Sequence, residues 1–203
     1  MIDMDSLFSD APIVLDLPDA EITYFPAFFS REIADELYAD LLQSIPWQQD
    51  QIKVYGKQHD QPRLTALFGN DGKPYSYSNI IMQPHPWNLL LLKIKAMAET
   101  VSETQFTSVL LNYYRDGKDS NGWHADNEKE LGKNPVIASV SLGAARVFQL
   151  RHNENSDLKR NILLEHGSLL LMKGPTQHHW KHQIPKTAKP IGGRINLTFR
   201  VIQ

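Results

Sequence analysis

The spacing of apolar positions changes character along the chain. Ile33, Leu37 and Leu41 recur every four residues, with Ala34, Tyr38 and Leu42 beside them, which predicts an amphipathic helix from Ser30, its N-cap, to Gln43. A second helical pattern runs from Trp87 to Ser102 through Leu90, Leu91, Ile94, Met97, Ala98 and Val101. Between the two, residues 51–85 are polar, aromatic and broken by Tyr55-Gly56, Pro62, Asn70-Asp71-Gly72 and Pro84, which predicts two short hairpins or long loops. Residues 1–25, punctuated by Pro12 and Pro18, read as an extended, partly loose lead-in. After residue 105 the runs become short and β-branched or apolar, at 107–114, 136–142, 145–151, 161–164, 168–172 and 194–202, separated by Gly, Pro, Asn and Asp. Many short strands so spaced suggest a sandwich, barrel or jelly roll. The expected fold class is α+β, with a β-sandwich core over 105–202 and the two N-terminal helices packed on one sheet.

Composition narrows this picture. A chain of 203 residues fits one domain, 1–203. It has no cysteine, which excludes disulfide scaffolds, thiolate zinc sites, iron–sulfur clusters and cysteine nucleophiles. No apolar run approaches membrane-spanning length, and the start is acidic where a signal peptide would be basic, so a cytoplasmic protein without membrane association is expected. The net charge of −2 hides an asymmetry: residues 1–50 hold eleven acids against one base, Arg31, which leaves twenty bases against twelve acids in the remainder. A basic working surface behind a neutral total is what a polyanion binder presents, although an ordinary solvated surface with an acidic lead-in fits equally well.

Candidate chemistry begins at Trp123-His124-Ala125-Asp126. In an extended segment His124 and Asp126 project to the same side and could share a divalent metal. A third ligand is available in His178-His179-Trp180-Lys181-His182. Two histidines and a carboxylate form the facial triad of non-haem Fe(II) oxygenases, but zinc hydrolases use the same ligand types. The last strand adds more. Arg194, Asn196, Thr198 and Arg200 alternate with Ile195, Leu197, Phe199 and Val201, and Asn112 aligns with Tyr114 on an earlier strand. Arginine's planar fork binds carboxylates bidentately, so a small dicarboxylate such as 2-oxoglutarate suits this face. The bland alternative is a solvated edge.

These stretches resemble the AlkB-type Fe(II)/2-oxoglutarate dioxygenases that repair alkylated nucleic acids. The resemblance covers residues 50–202 and rests on Leu111-Asn112-Tyr113-Tyr114-Arg115-Asp116-Gly117, Trp123-His124-Ala125-Asp126-Asn127-Glu128 and Ile137-Ala138-Ser139-Val140-Ser141-Leu142-Gly143. It continues through His166-Gly167-Ser168-Leu169-Leu170, His179-Trp180-Lys181-His182-Gln183-Ile184-Pro185 and Arg194-Ile195-Asn196-Leu197-Thr198-Phe199-Arg200. It implies a double-stranded β-helix, with His124, Asp126 and His182 as iron ligands. It further implies that Asn112, Tyr114, Arg194, Asn196 and Arg200 hold 2-oxoglutarate, with Thr198 on the same strand face; Arg194 and Tyr114 are expected at the distal carboxylate. Tyr55 and Arg63 resemble the loop that probes a duplex, Tyr75, Tyr77 and Ser78 the segment closing over an extruded base, and Glu128 an acceptor for its exocyclic amine. The cofactors implied are Fe(II), 2-oxoglutarate and O2. The reaction implied is oxidative demethylation of 1-methyladenine- or 3-methylcytosine-type bases in DNA by a monomer, with formaldehyde released. The alternatives are an oxygenase of the same fold acting on RNA or protein, and an inactive nucleic-acid-binding module.

Overall fold

The computed structural model describes residues 11–54, 57–70, 75–77 and 80–203. In chain order the elements are β1 (Ile13–Leu15), β2 (Glu21–Phe25), α1 (Arg31–Ser44), β3 (Gln51–Val54), β4 (Lys57–Asp60), β5 (Leu64–Gly69), β6 (Tyr75–Tyr77), β7 (Ile80–Met82) and α2 (Leu89–Ser102). They continue as β8 (Ser108–Tyr114), β9 (Asn121–His124), β10 (Ile137–Gly143), β11 (Arg146–His152), β12 (Lys159–Leu164), β13 (Ser168–Lys173), α3 (Thr176–His179), β14 (Trp180–Ile184) and β15 (Arg194–Arg200).

Two antiparallel sheets carry the core. The larger runs β1-β2-β13-β10-β15-β8-β5 and the smaller β12-β11-β14-β9, while β3–β4 and β6–β7 form separate hairpins. Strand side chains alternate between faces, and the large sheet uses both. Val109, Leu111, Val140, Leu142, Leu169, Leu171, Ile195, Leu197 and Phe199 meet Ala34 and Leu41 of α1 and Leu91, Ile94 and Ala98 of α2. The residues between them in sequence face the small sheet, where Leu110, Tyr114, Leu170 and Met172 pack with Phe148, Leu150, Trp180 and Ile184. This is the expected sandwich with both helices on one sheet. No described helix is long and apolar enough to cross a membrane.

The helix boundaries follow their caps. Ser30 accepts the amide of Ile33, starting α1 where expected. The second helix starts two residues later than the apolar pattern suggests: Asn88 is extended and its side chain accepts the Leu91 amide at 2.8 Å, so Trp87 precedes the helix. The buried stripe of α1 is also narrower than its sequence implies, because Ile33 and Leu42 remain exposed while Ala34 and Leu41 are sealed. The largest departures lie outside the helices. Residues 13–15 and 21–25, expected as a loose lead-in, extend the large sheet along the edge of β13, where Leu171 pairs with Thr23. Likewise β5, in the region expected to hold only hairpins and loops, pairs with β8 along its whole length. β2 and β5 both join the sheet through partners far away in sequence, and β1 and β5 form its two edges.

Candidate metal centre and its cleft

Strand β15 sits between β10 and β8, so its polar face is not a solvated edge. All seven of its residues are buried. Arg194, Asn196, Thr198 and Arg200 look into the space between the sheets, and they line one cleft with Asn112, Tyr114, His124, Asp126 and His182.

The small sheet contributes the metal-binding groups. His124 ends β9 and pairs directly with His182 on β14, and their rings lie 4.3 Å apart. Asp126 follows two residues after the ladder stops. One donor atom from each of His124, Asp126 and His182 lies within 4.8 Å of the other two. Of the three histidines near residue 180, it is therefore His182 that the fold brings to this group. The Nδ1–H of His124 donates to the Gly122 carbonyl at 2.7 Å, which leaves the ring's lone pair on Nε2, where the Asn121 side-chain amide stands at 3.3 Å. Burial holds His182 as a neutral base, pushed down to about 3, with the neighbouring His124 adding to the effect. Burial lowers His124 as well, against the pull of Asp126. For Asp126 burial opposes ionisation, but the Arg200 guanidinium at 2.7 Å holds its carboxyl below the usual range. Two neutral imidazoles and a carboxylate are the protonation states a divalent cation requires.

The other end of the cleft holds a buried cation. Arg194 is 1% exposed. Its Nη2 donates to Ser141 Oγ at 2.8 Å, whereas Nε and Nη1 have no hydrogen-bond partner. No described carboxylate lies within ion-pairing distance of it. Burial lowers Arg194 to about 10, so it remains charged at neutral pH, 5.2 Å over the Tyr114 ring. A buried guanidinium with two idle donors is costly unless an anion completes it. The residues present therefore fit both groups that the sequence implies: a divalent metal at the His124 end and a carboxylate at Arg194.

The remaining expected residues divide. Asn196 donates to Ser139 Oγ and the Val140 carbonyl, and Thr198 donates to Asn196 Oδ1, so this pair is oriented by the strands around it. Arg63, expected on a duplex-probing loop, is buried at 4% exposure. Its Nε donates to Asn112 Oδ1 at 2.7 Å and its Nη1 to the Ser120 carbonyl, which places it behind the cleft. Glu128 is partly buried with Oε2 unpartnered, and burial raises its pKa. Tyr55 and Ser78 lie outside the described residues, as do the side chains of Tyr75 and Tyr77, whose backbone forms β6. Gln177, which sequence reading passes over, is 1% exposed and accepts the Asp126 amide at 2.9 Å.

A second group of the same composition joins Asp19, His152 and His179. Here the Nδ1 of His152 accepts the amides of Glu154 and Asn155, at 3.3 and 3.2 Å. The proton of a neutral ring then sits on Nε2, facing the Asp19 carboxylate at 3.5 Å. His178 stands apart, with Nε2 at 2.9 Å from Asn134 Oδ1.

The model of the 2OG-Fe(II) oxygenase superfamily matches residues 21–200. The chain is 40% identical over 192 residues to the mouse alpha-ketoglutarate-dependent dioxygenase alkB homolog 3, covering 90% of this chain and 66% of that protein. It is 37% identical over 188 residues to the human DNA oxidative demethylase ALKBH2, covering 88% of this chain and 72% of that one. The chain thus spans slightly less than two thirds of the alkB homolog 3 relatives it matches. Among solved structures it is similar to OsALKBH1, with a TM-score of 0.62 at 17% identity over 94% of this chain and 100% of that one, a likeness of fold.

Proposed function

Because the chain belongs to the 2OG-Fe(II) oxygenase superfamily and, within it, to the AlkB type, we propose that it oxidatively demethylates 1-methyladenine- and 3-methylcytosine-type bases in DNA. The observation that carries the reading is one cleft holding the His124–Asp126–His182 group and the unanswered Arg194 cation. His124, Asp126 and His182 would hold Fe(II). Arg194, with Tyr114, would take one carboxylate of 2-oxoglutarate, and Asn112, Asn196, Thr198 and Arg200 would line the rest of its site. Bound there, Fe(II) with 2-oxoglutarate and O2 supplies oxidation of the N-methyl group, which then leaves the base as formaldehyde.

The chain's own residues account for binding and orientation. A methyl group on the pairing edge has already cost the base its partner, so extrusion into a cleft is less costly. The unpartnered Oε2 of Glu128, two residues beyond Asp126, would accept a hydrogen bond from the exocyclic amine of such a base. Burial keeps water from competing for that oxygen. The outer face of the small sheet supports a polyanionic substrate. Lys159, Arg151 and Lys181 lie directly opposite one another on three adjacent strands, and Arg151 sits 4.2 Å over the Trp123 ring. Like charges directly across a sheet repel, and a phosphate backbone would relieve that repulsion. Tyr55, Tyr75, Tyr77 and Ser78 are taken as base- and duplex-contacting residues on the family resemblance alone. We take the enzyme to act as a cytoplasmic monomer.

The test is mass spectrometry of defined methylated DNA and RNA oligonucleotides, single- and double-stranded, incubated with protein, Fe(II), 2-oxoglutarate and ascorbate. Loss of the methyl group from DNA with formaldehyde release is expected. Loss confined to RNA would move the substrate class, and 2-oxoglutarate consumption without change in any oligonucleotide would overturn the reading.

A further inference from the structure

We propose that Gln177 is a positioning residue of the metal centre, its side-chain carbonyl fixing the Asp126 backbone beyond the point where the sheet can do so. The inference rests on the metal reading above but not on the identity of the substrate. His124 is held by the β9–β14 ladder, whose last pair at this end is His182 with His124. Asp126 lies past that pair, outside any strand, yet it is 1% exposed. Its amide would be a buried orphan without another acceptor, and such groups are rare and costly. Gln177 Oε1 supplies the acceptor at 2.9 Å. An N–H donor requires the oxygen end of the carboxamide, so the side chain's orientation is set; its Nε2 turns toward the Met172 sulfur at 3.5 Å.

The segment bearing Gln177 is itself held on both sides. Thr176 Oγ1 accepts the Glu21 amide and donates to the Lys173 carbonyl, at 2.9 and 2.6 Å. The His178 carbonyl accepts from Asn153 Nδ2 at 2.7 Å. This short helix, α3, leads straight into β14, which carries His182. One rigid turn therefore sets the third donor through the chain and the second through a side chain. Arg200 directs the Asp126 carboxylate from the opposite side, at 2.7 Å. With the backbone fixed by Gln177 and the carboxylate by Arg200, Asp126 has little freedom left. Groups behind metal ligands of this kind change metal affinity by roughly 10- to 100-fold when removed.

The experiment titrates Co(II) alone into metal-stripped protein under anaerobic conditions and follows its visible absorption. Gln177→Leu, close in volume but without an acceptor, should raise the Co(II) dissociation constant about 10- to 100-fold. Gln177→Glu, which restores an acceptor oxygen, should recover most of the loss and return the wild-type spectrum. Wild-type affinity in Gln177→Leu would overturn the proposal, and so would equal loss in both variants, which would mean packing rather than the hydrogen bond matters. If Gln177→Leu does not fold, hydrogen exchange in the metal-free wild type decides: the Asp126 amide should be protected, and rapid exchange there overturns the proposal. Failure of the wild type to take up Co(II) would overturn the metal reading itself, an outcome distinct from any of these.

Discussion

Among the described residues two places gather two histidines and one aspartate, and their hydrogen bonds set the ring nitrogens differently. At His124, Asp126 and His182 the carbonyl of Gly122 takes the Nδ1 proton of His124 and leaves Nε2 as a lone pair. At Asp19, His152 and His179 two backbone amides occupy Nδ1 of His152, which sets its remaining proton toward Asp19. The first arrangement leaves a lone pair on Nε2 for a metal; the second turns an N–H of His152 toward the Asp19 carboxylate at 3.5 Å, a clasp between the β1–β2 turn and the end of β11 that falls short of a hydrogen bond. Ligand composition is the same in both. What differs is which ring nitrogen the backbone addresses, and so whether the other presents a lone pair or a proton.

The sharpest way to break this comparison is to delete one histidine from each group. His182→Ala should abolish demethylation and Co(II) uptake, whereas His179→Ala should keep both; the reverse pattern in oligonucleotide mass spectrometry and metal titration would exchange the two assignments. A smaller but still large effect is expected at the other end of the cleft. Arg194→Lys should raise the KM for 2-oxoglutarate by roughly 10- to 100-fold, because lysine cannot reproduce the planar fork. Arg194→Met removes a buried cation that has no anion in the unliganded protein, so it should abolish 2-oxoglutarate binding in calorimetry while stabilising that form by about 1 to 3 kcal/mol.

Acid sharpens the contrast further. His182 is depressed to about 3, below its unfolded value, so between roughly pH 6.5 and 3 the unfolded chain binds a proton that the folded one does not. Stability of the metal-free protein should therefore fall as pH drops through that window, and Asp126, also depressed, adds a loss at its lower end. His182→Leu should flatten this slope in denaturant titrations. The clasp is expected to matter least to chemistry: His152→Phe should cost about 1 to 2 kcal/mol by leaving two amides without an acceptor, with turnover unchanged. Smallest of all, Lys159→Gln or Lys181→Gln should weaken oligonucleotide binding evenly across sequences and reduce its salt slope by about one each.

Much of this is legible in the sequence. The alternation of β15 separates a helix-facing side, Ile195, Leu197 and Phe199, from a polar side, and the short runs after residue 105 mark the strands. What the alternation cannot tell is that the polar side is buried, because that depends on the small sheet covering it from across the cleft. Among the three histidines near residue 180, spacing alone left the choice open, since it turns on how β14 pairs with β9. Gln177 left no local mark at all: its partner is 51 positions away, and an isolated glutamine before two histidines looks like any other. The burial of Arg63 is invisible for a related reason, its neighbours being a polar turn while its guanidinium reaches Asn112 on β8.

The burial of β15 on both faces carries one more consequence. A strand buried on one side already has its register set by that face, and one buried on both sides has it set twice. Here a slip of a single position would push Arg194 and Arg200 against the helices and turn Ile195, Leu197 and Phe199 toward the cleft. The chain then loses its fold and its chemistry in the same event. No pairing slipped by one position leaves a stable but inert protein, so the sheet's geometry acts as a proofreading device: it keeps the two arginines on the cleft side of any molecule that folds.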